Sequence, residues 1–224
     1  MSVFAHRKFA ISILFCVGLG LLVGRLGAYF WPSVKNVFFT TPQLYFTSNK
    51  LLQEHYQKAK VMPLDWVSLL PENELDVIAR YQANKPDKNI DMKSQILLSI
   101  EAATDPEYKA ALQSINTVNT FENHMVAISG FIVPIDFHPD KTVKNMFLVP
   151  YFGACLHYPA PPPNQIIFAR LDAGFAHLEL NRAYTLTGQI KIGLFEDPMG
   201  TSAYTLNVIS IVAFNGQPDD FRNH

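Results

Sequence analysis

The chain of 224 residues has only two cysteines, Cys16 and Cys155. Cys16 falls in an apolar N-terminal stretch, so no intrachain disulfide can staple the remainder, and stability must come from an ordinary core. Charge excess is missing too: 18 Lys and Arg against 19 Asp and Glu leave a net charge of −1. That balance gives no electrostatic case for nucleic acid, and no Lys/Arg cluster marks a surface for anionic lipid. No P-loop, G-x-S-x-G or H-E-x-x-H occurs, which removes the signatures of phosphate-loop enzymes, α/β-hydrolases and zincins. No internal repeat is evident, and Pro159–Pro163 is the only low-complexity piece.

What is present begins at the N-terminus. Residues 9–24 carry no charge and follow Arg7 and Lys8. A basic flank before an apolar core is the pattern of an export signal or a signal anchor with its N-terminus in the cytoplasm. Apolar character resumes beyond Arg25 as far as Trp31, and Arg25 can snorkel to the interface. No A-x-A cleavage site follows, and bulky Phe15 before Cys16 does not suit lipidation. The expectation is an uncleaved anchor over 1–32, a single pass in the inner membrane, and a soluble part in the periplasm. Cys155 is then the only cysteine outside the membrane.

The soluble part divides near residue 120. A helical N-terminal region is expected over 33–120, a β-barrel over 121–215 and a tail over 216–224. Leu44, Leu51, Leu52, Tyr56 and Ala59 give 43–60 a helical spacing. Trp66-Val67-Ser68-Leu69-Leu70 forms a short helical turn between Pro63 and Pro71, and Pro71 opens a helix through about Tyr81. Glu72, Glu74 and Asp76 read as a solvated helix start that suits the dipole. Asp105-Pro106 caps another helix over about 105–115. After residue 120 the period becomes two. Strands are predicted over 125–135, 146–149, 165–171, 184–192 and 203–214, with bends at Gly130 and Gly188. The fold class is mainly β with N-terminal helices (α+β): a small five-stranded OB-like barrel preceded by a membrane anchor helix, with a β-sandwich as the alternative.

Chemistry concentrates in Tyr151-Phe152-Gly153-Ala154-Cys155-Leu156-His157-Tyr158-Pro159-Ala160-Pro161-Pro162-Pro163-Asn164-Gln165. In an extended segment Cys155 and His157 point to one face. They can then share a metal, and zinc accepts both ligand types. Further ligands are sought in His138 or Asp136 after the first strand, His177 between the third and fourth, His124, and Glu196 or Asp197; His138 and His177 complete the expected set. A second reading makes Cys155 a nucleophile and His157 its base. A third makes the segment structural, with Cys155 buried as a small hydrophobe. Tyr151, Phe152, Pro161, Pro162 and Pro163 offer a stiff ridge for a partner, with Asn164 and Gln165 as its polar contacts.

Three blocks carry a resemblance: Val126–Pro134, Phe147–His157 and Pro161–Gln165, with Trp66–Pro71 upstream as a Trp-x-x-Leu-x-Pro element. Together they resemble a bacterial domain family of unknown function, over about residues 60–213. The resemblance implies an exported, often lipid-anchored protein. Its genes commonly lie beside ABC permeases of the lipoprotein-release and macrolide-efflux type, in operons sometimes linked to zinc starvation. It implies as partner an ABC-type permease or other envelope protein, and favours a zinc-binding accessory protein over an enzyme. This chain departs from the family in lacking a lipobox and in having Tyr158-Pro159-Ala160 where Val-Pro-Pro is common.

Overall fold

A computed structural model describes residues 42–82, 92–154, 160–176 and 178–218. The expected anchor over 1–32 lies outside the described residues. Among the described residues no helix is long and apolar enough to cross a membrane.

Five strands close a barrel: β3 (Met125–Phe137), β4 (Val143–Val149), β5 (Ile167–Phe175), β6 (Ala183–Asp197) and β7 (Gly200–Ala213). β3 pairs with β4, β4 with β5, β5 with β7, β7 with β6, and β6 returns to β3. Every seam is antiparallel except β5–β7. This closed cycle with one parallel seam is the OB topology, and it excludes a sandwich of two separate sheets. β3 serves two partners. Its first half, Met125–Phe131, pairs with β6, and its second half, Phe131–Phe137, with β4. The change of partner falls at Gly130, where a Cβ would sit 2.6 Å from the Val149 carbonyl oxygen. At Gly188 the β6–β7 register shifts: Thr187 faces Ser210 while Gly188 faces Val208, leaving Ile209 as the extra residue of a bulge.

The strands bury both faces because the barrel is wrapped from outside. Met146 and Leu148 of β4 join the interior with Ile128, Ile132, Ile167, Leu186 and Leu206. Phe147 and Val149 point the other way and meet Phe168, Ala111 and Ile78 in a second core. Phe195 stacks on Phe168 with ring centroids 3.6 Å apart, and its edge contact with Phe147 completes an aromatic wall. Ile78 belongs to α2 (Glu72–Gln82) and Ala111 to α4 (Pro106–Ala111). α4 is capped as expected: Asp105 accepts from the N–H groups of Glu107 and Tyr108.

The N-terminal region departs from a purely helical one. The stretch 43–60 is split into a strand, β1 (Gln43–Phe46), and a helix, α1 (Lys50–Lys58) capped by Asn49. β1 lies antiparallel on the outer edge of β7, Gln43 opposite Val212. Asp172 fastens it, accepting from the Tyr45 and Thr47 hydroxyls and from the N–H and hydroxyl of Ser48. Burial opposes a charge on Asp172, but these bonds outweigh it and hold the carboxyl well below the usual range. Burial, then the bond to Asp172, pushes the Tyr45 phenol up. A short β2 (Met62–Pro63) runs parallel to the start of β3. A further helix, α3 (Met92–Thr104), which the sequence reading left unassigned, precedes α4.

Candidate functional site

The barrel has two unlike ends. At one, called the loop end, β4 leaves through Tyr151, β5 begins, and the β6–β7 hairpin turns at Pro198-Met199. At the other, the turn end, lie the β3–β4 turn over 138–142 and the connection from β5 to β6.

The chemistry-bearing segment starts and finishes at the loop end. Gly153 has φ 75°, a left-handed conformation that disfavours any side chain, which explains its place before Ala154. Tyr151 and Ala154 are buried against Phe131, Val149 and Leu70, while Phe152 stays on the surface, edge-on to Phe131. Cys155 and His157 lie outside the described residues. The chain is described again from Ala160, with Pro161 and Pro162 buried.

Asn164 and Gln165 do not face a partner. Both are fully buried in a one-turn 3-10 helix, Pro163–Gln165. Gln165 donates to the Trp66 carbonyl at 2.8 Å. Asn164 donates to the Glu74 carboxylate at 2.8 Å and to the Asn116 carbonyl at 3.0 Å. The amide nitrogens of both side chains thus bond inside the protein, where an unpaired donor would cost about 1–3 kcal/mol, while Asn164 Oδ1 and Gln165 Oε1 are buried without a partner. The partner-facing role assigned to these two residues, and to buried Pro161 and Pro162, is therefore corrected: they anchor the segment.

Glu74 is the residue that sequence reasoning missed. Read as solvated, it is 6% exposed and binds three neutral donors. Ser114 Oγ and Asn116 Nδ2 each lie 2.6 Å from Oε1, and Asn164 Nδ2 reaches Oε2. Nearby, the Tyr204 hydroxyl donates to the Leu69 carbonyl at 3.0 Å and accepts from Val118 N–H at 2.7 Å. Burial pushes its phenol up to about 12. Trp66 joins the barrel interior and donates to the Ser129 carbonyl at 2.7 Å. The Trp-x-x-Leu-x-Pro and Pro-Pro-Pro-Asn-Gln elements, far apart in sequence, thus meet in one buried polar knot.

The expected metal ligands divide between the ends. His138 sits in the β3–β4 turn, where its backbone N–H donates to the Thr142 carbonyl. Its Nε2 is buried without a hydrogen-bond partner. Asp136 is held below the usual carboxylate range by the Phe137 N–H and by Lys144, 3.2 Å away. The length of β4, about 20 Å at the usual rise per residue, separates this turn from the loop end. His177 lies outside the described residues. Glu196 and Asp197, in contrast, are at the loop end. A cavity of about 410 Å³ there is lined by Ala160, Pro161, Pro163, Glu196 and Met199, among others. Exposed His124 precedes β3, its carbonyl accepting from the Ile190 N–H in the middle of β6, six residues before Glu196. Among the described residues no three His, Cys, Asp or Glu side chains are grouped to hold a metal.

Residues 66–213 match the family model described as "Protein of unknown function (DUF3299)". The chain belongs to that family. The DUF3299 region begins at Trp66 and ends at the last residue of β7, so it takes in the whole polar knot and the whole barrel. A crystal structure of a DUF3299 family protein from Pseudomonas aeruginosa is similar: 24% identity, 70% of this chain and 99% of that chain covered, TM-score 0.50. At that identity the likeness speaks for the fold. No match to a curated protein was found.

Proposed function

We propose that this DUF3299 protein is a membrane-anchored, periplasm-facing accessory protein of an ABC-type export or metal-homeostasis system, and that it binds zinc through Cys155 and His157. One observation supports the reading above the others. The polar side chains in the described part of the loop, Asn164 and Gln165, are committed inward, and both flanks of Cys155–Pro159 are pinned by buried residues. Such anchoring suits a thiolate and an imidazole that must be presented as ligands. Glu196, on the same end as the described flanks, is a better third ligand than His138. The basic flank and apolar run of 1–32 support the anchor, and the family resemblance supports the permease partner.

Elemental analysis of the full-length protein, purified without chelator, tests this reading. About one zinc per chain is expected, lost in Cys155→Ser and His157→Ala, weakened in Glu196→Gln and unchanged in His138→Ala. Thiolate and neutral imidazole are the binding forms, so affinity falls as pH drops through the histidine range. A metal-free protein that takes up no zinc overturns the proposal. Rapid alkylation of Cys155 in that protein would move the assignment to a cysteine nucleophile.

A further inference from the structure

Beside the polar knot, α2, α4 and the segment 113–116 line an open cleft of about 620 Å³. Its walls are mixed. Val77, Ala110, Ala111 and Ile115 give one side an apolar lining, Asn73, Gln113, Ser114 and Asn116 give neutral polar groups, and Glu74 gives a buried carboxylate. Among the described residues no Lys, Arg or His lies within ion-pair distance of Glu74, and no Lys or Arg lines the cleft. Glu107, also on the wall, is 71% exposed and loosely paired with Arg80 at 3.8 Å, so it does not compete for the buried position.

Buried charges are normally paired. Glu74 has only neutral donors, from Ser114, Asn116 and Asn164. A carboxylate offers about four acceptor positions, so three bonds leave about one unused. Its place in the first turn of α2 suits a negative charge but supplies no counter-ion. What complements a carboxylate with a spare acceptor and an apolar wall is a cationic donor at the end of a hydrocarbon chain. We infer that this cleft binds an alkylammonium group: the head bonds Glu74, and the chain lies along Val77, Ala111 and Ile115.

The chemistry has two sources, a free amine or a lysine side chain. Titration calorimetry on the full-length protein uses 1,5-diaminopentane, the peptide acetyl-Leu-Lys-Leu-amide and, as neutral control, 1-pentanol. Saturable binding of the diamine or the peptide is expected, with no binding of pentanol. Tighter binding of the diamine assigns the site to small amines, and tighter binding of the peptide to a lysyl side chain. Glu74→Gln should weaken the better ligand at least about tenfold, the loss expected for a charge-assisted bond. Ala110→Trp adds bulk to the α4 wall while keeping the Glu74 side chain, and should abolish binding while zinc content stays unchanged. The inference falls if neither cation binds at millimolar concentration, if pentanol binds as well as the diamine, or if Ala110→Trp binds like the wild type.

Discussion

Replacing Gly188 by alanine tests how the barrel closes. A Cβ there would lie 2.4 Å from the Asn207 carbonyl oxygen, 3.0 Å from its carbon and 3.1 Å from Leu206 Cγ. The first obstacle is backbone, so no rotamer change relieves it. Asn207 is paired on both sides, with Gln189 of β6 and Arg170 of β5, and β7 cannot retreat from one without pressing on the other. Overpacking costs about 1–3 kcal/mol. A ladder hydrogen bond lost to the displacement adds about 0.5–1.5 kcal/mol, for a total of about 2–4 kcal/mol. Gly193 is the internal control. In the same strand, its added Cβ meets Thr205 Cγ2 at 3.4 Å, an ordinary contact. Gly193→Ala should fall within about 1 kcal/mol of the wild type, on the stable side, because alanine restricts the unfolded chain. Urea unfolding followed by far-UV circular dichroism reads both. With a slope of about 2 kcal/mol/M, Gly188→Ala should lower the midpoint by about 1–2 M. Equal midpoints for the two variants would refute the close approach of β6 and β7.

Three further outcomes follow from the polar contacts. Tyr204→Phe leaves the Leu69 carbonyl and Val118 N–H without their shared partner and should cost about 1–3 kcal/mol in thermal unfolding. Burial raises the Tyr204 phenol to about 12, so its contribution is complete below its unfolded value and is lost as pH rises towards 12; the phenylalanine variant should lack that alkaline loss. Asp172 is shifted the other way. Its contribution is present above the ordinary carboxylate range and lost as pH falls, so the stability gap between wild type and Asp172→Asn should narrow from pH 7 to pH 3, and a constant gap would contradict the role given to Asp172. Asn164→Ala removes a donor from buried Glu74 and should lower the melting temperature by about 2–12 °C, from about 1–3 kcal/mol in a protein of this size.

The barrel was legible because its strands obey local rules. Period-two patterning found β3, β6 and β7, and Gly130 and Gly188 marked the two places where strands crowd a neighbour's carbonyl. Strand ends were harder. β6 runs on to Asp197 because β7 continues to satisfy its backbone beyond the barrel wall, and nothing in Gly193–Asp197 alone announces that. In sequence β1 reads as helix, since its apolar residues fit either period; an edge of β7 more than 160 residues away decides for strand. The knot was the least legible part. Three acidic residues at a helix start look alike in sequence, and only Ser114, Asn116 and Asn164 single out Glu74. The useful signal was Asn164-Gln165 itself: two carboxamides after a run of prolines, in a segment otherwise apolar, need partners somewhere in the fold. Which barrel end each histidine occupies depends on strand order, so His138 could not be separated from Glu196 as a ligand before the ladder was known.

The parallel seam between β5 and β7 bears on how the molecule assembles. It consists of four residue pairs, from Ile167–Tyr204 to Arg170–Asn207, whereas β6 and β7 share twelve across a two-residue turn. Closing the chain between β6 and β7 fixes few residues, and their hairpin gains hydrogen bonds early. Bringing Ile167 to Tyr204 orders the intervening chain for few, slanted bonds. The entropy is lost before the contacts form, which places this seam later in folding than the β6–β7 hairpin. Gln165 and Tyr204 flank it at the loop end, and each is tied to the Trp66–Leu69 turn. The knot is thus a latch across the parallel seam, tying the starts of β5 and β7 to one turn outside the barrel.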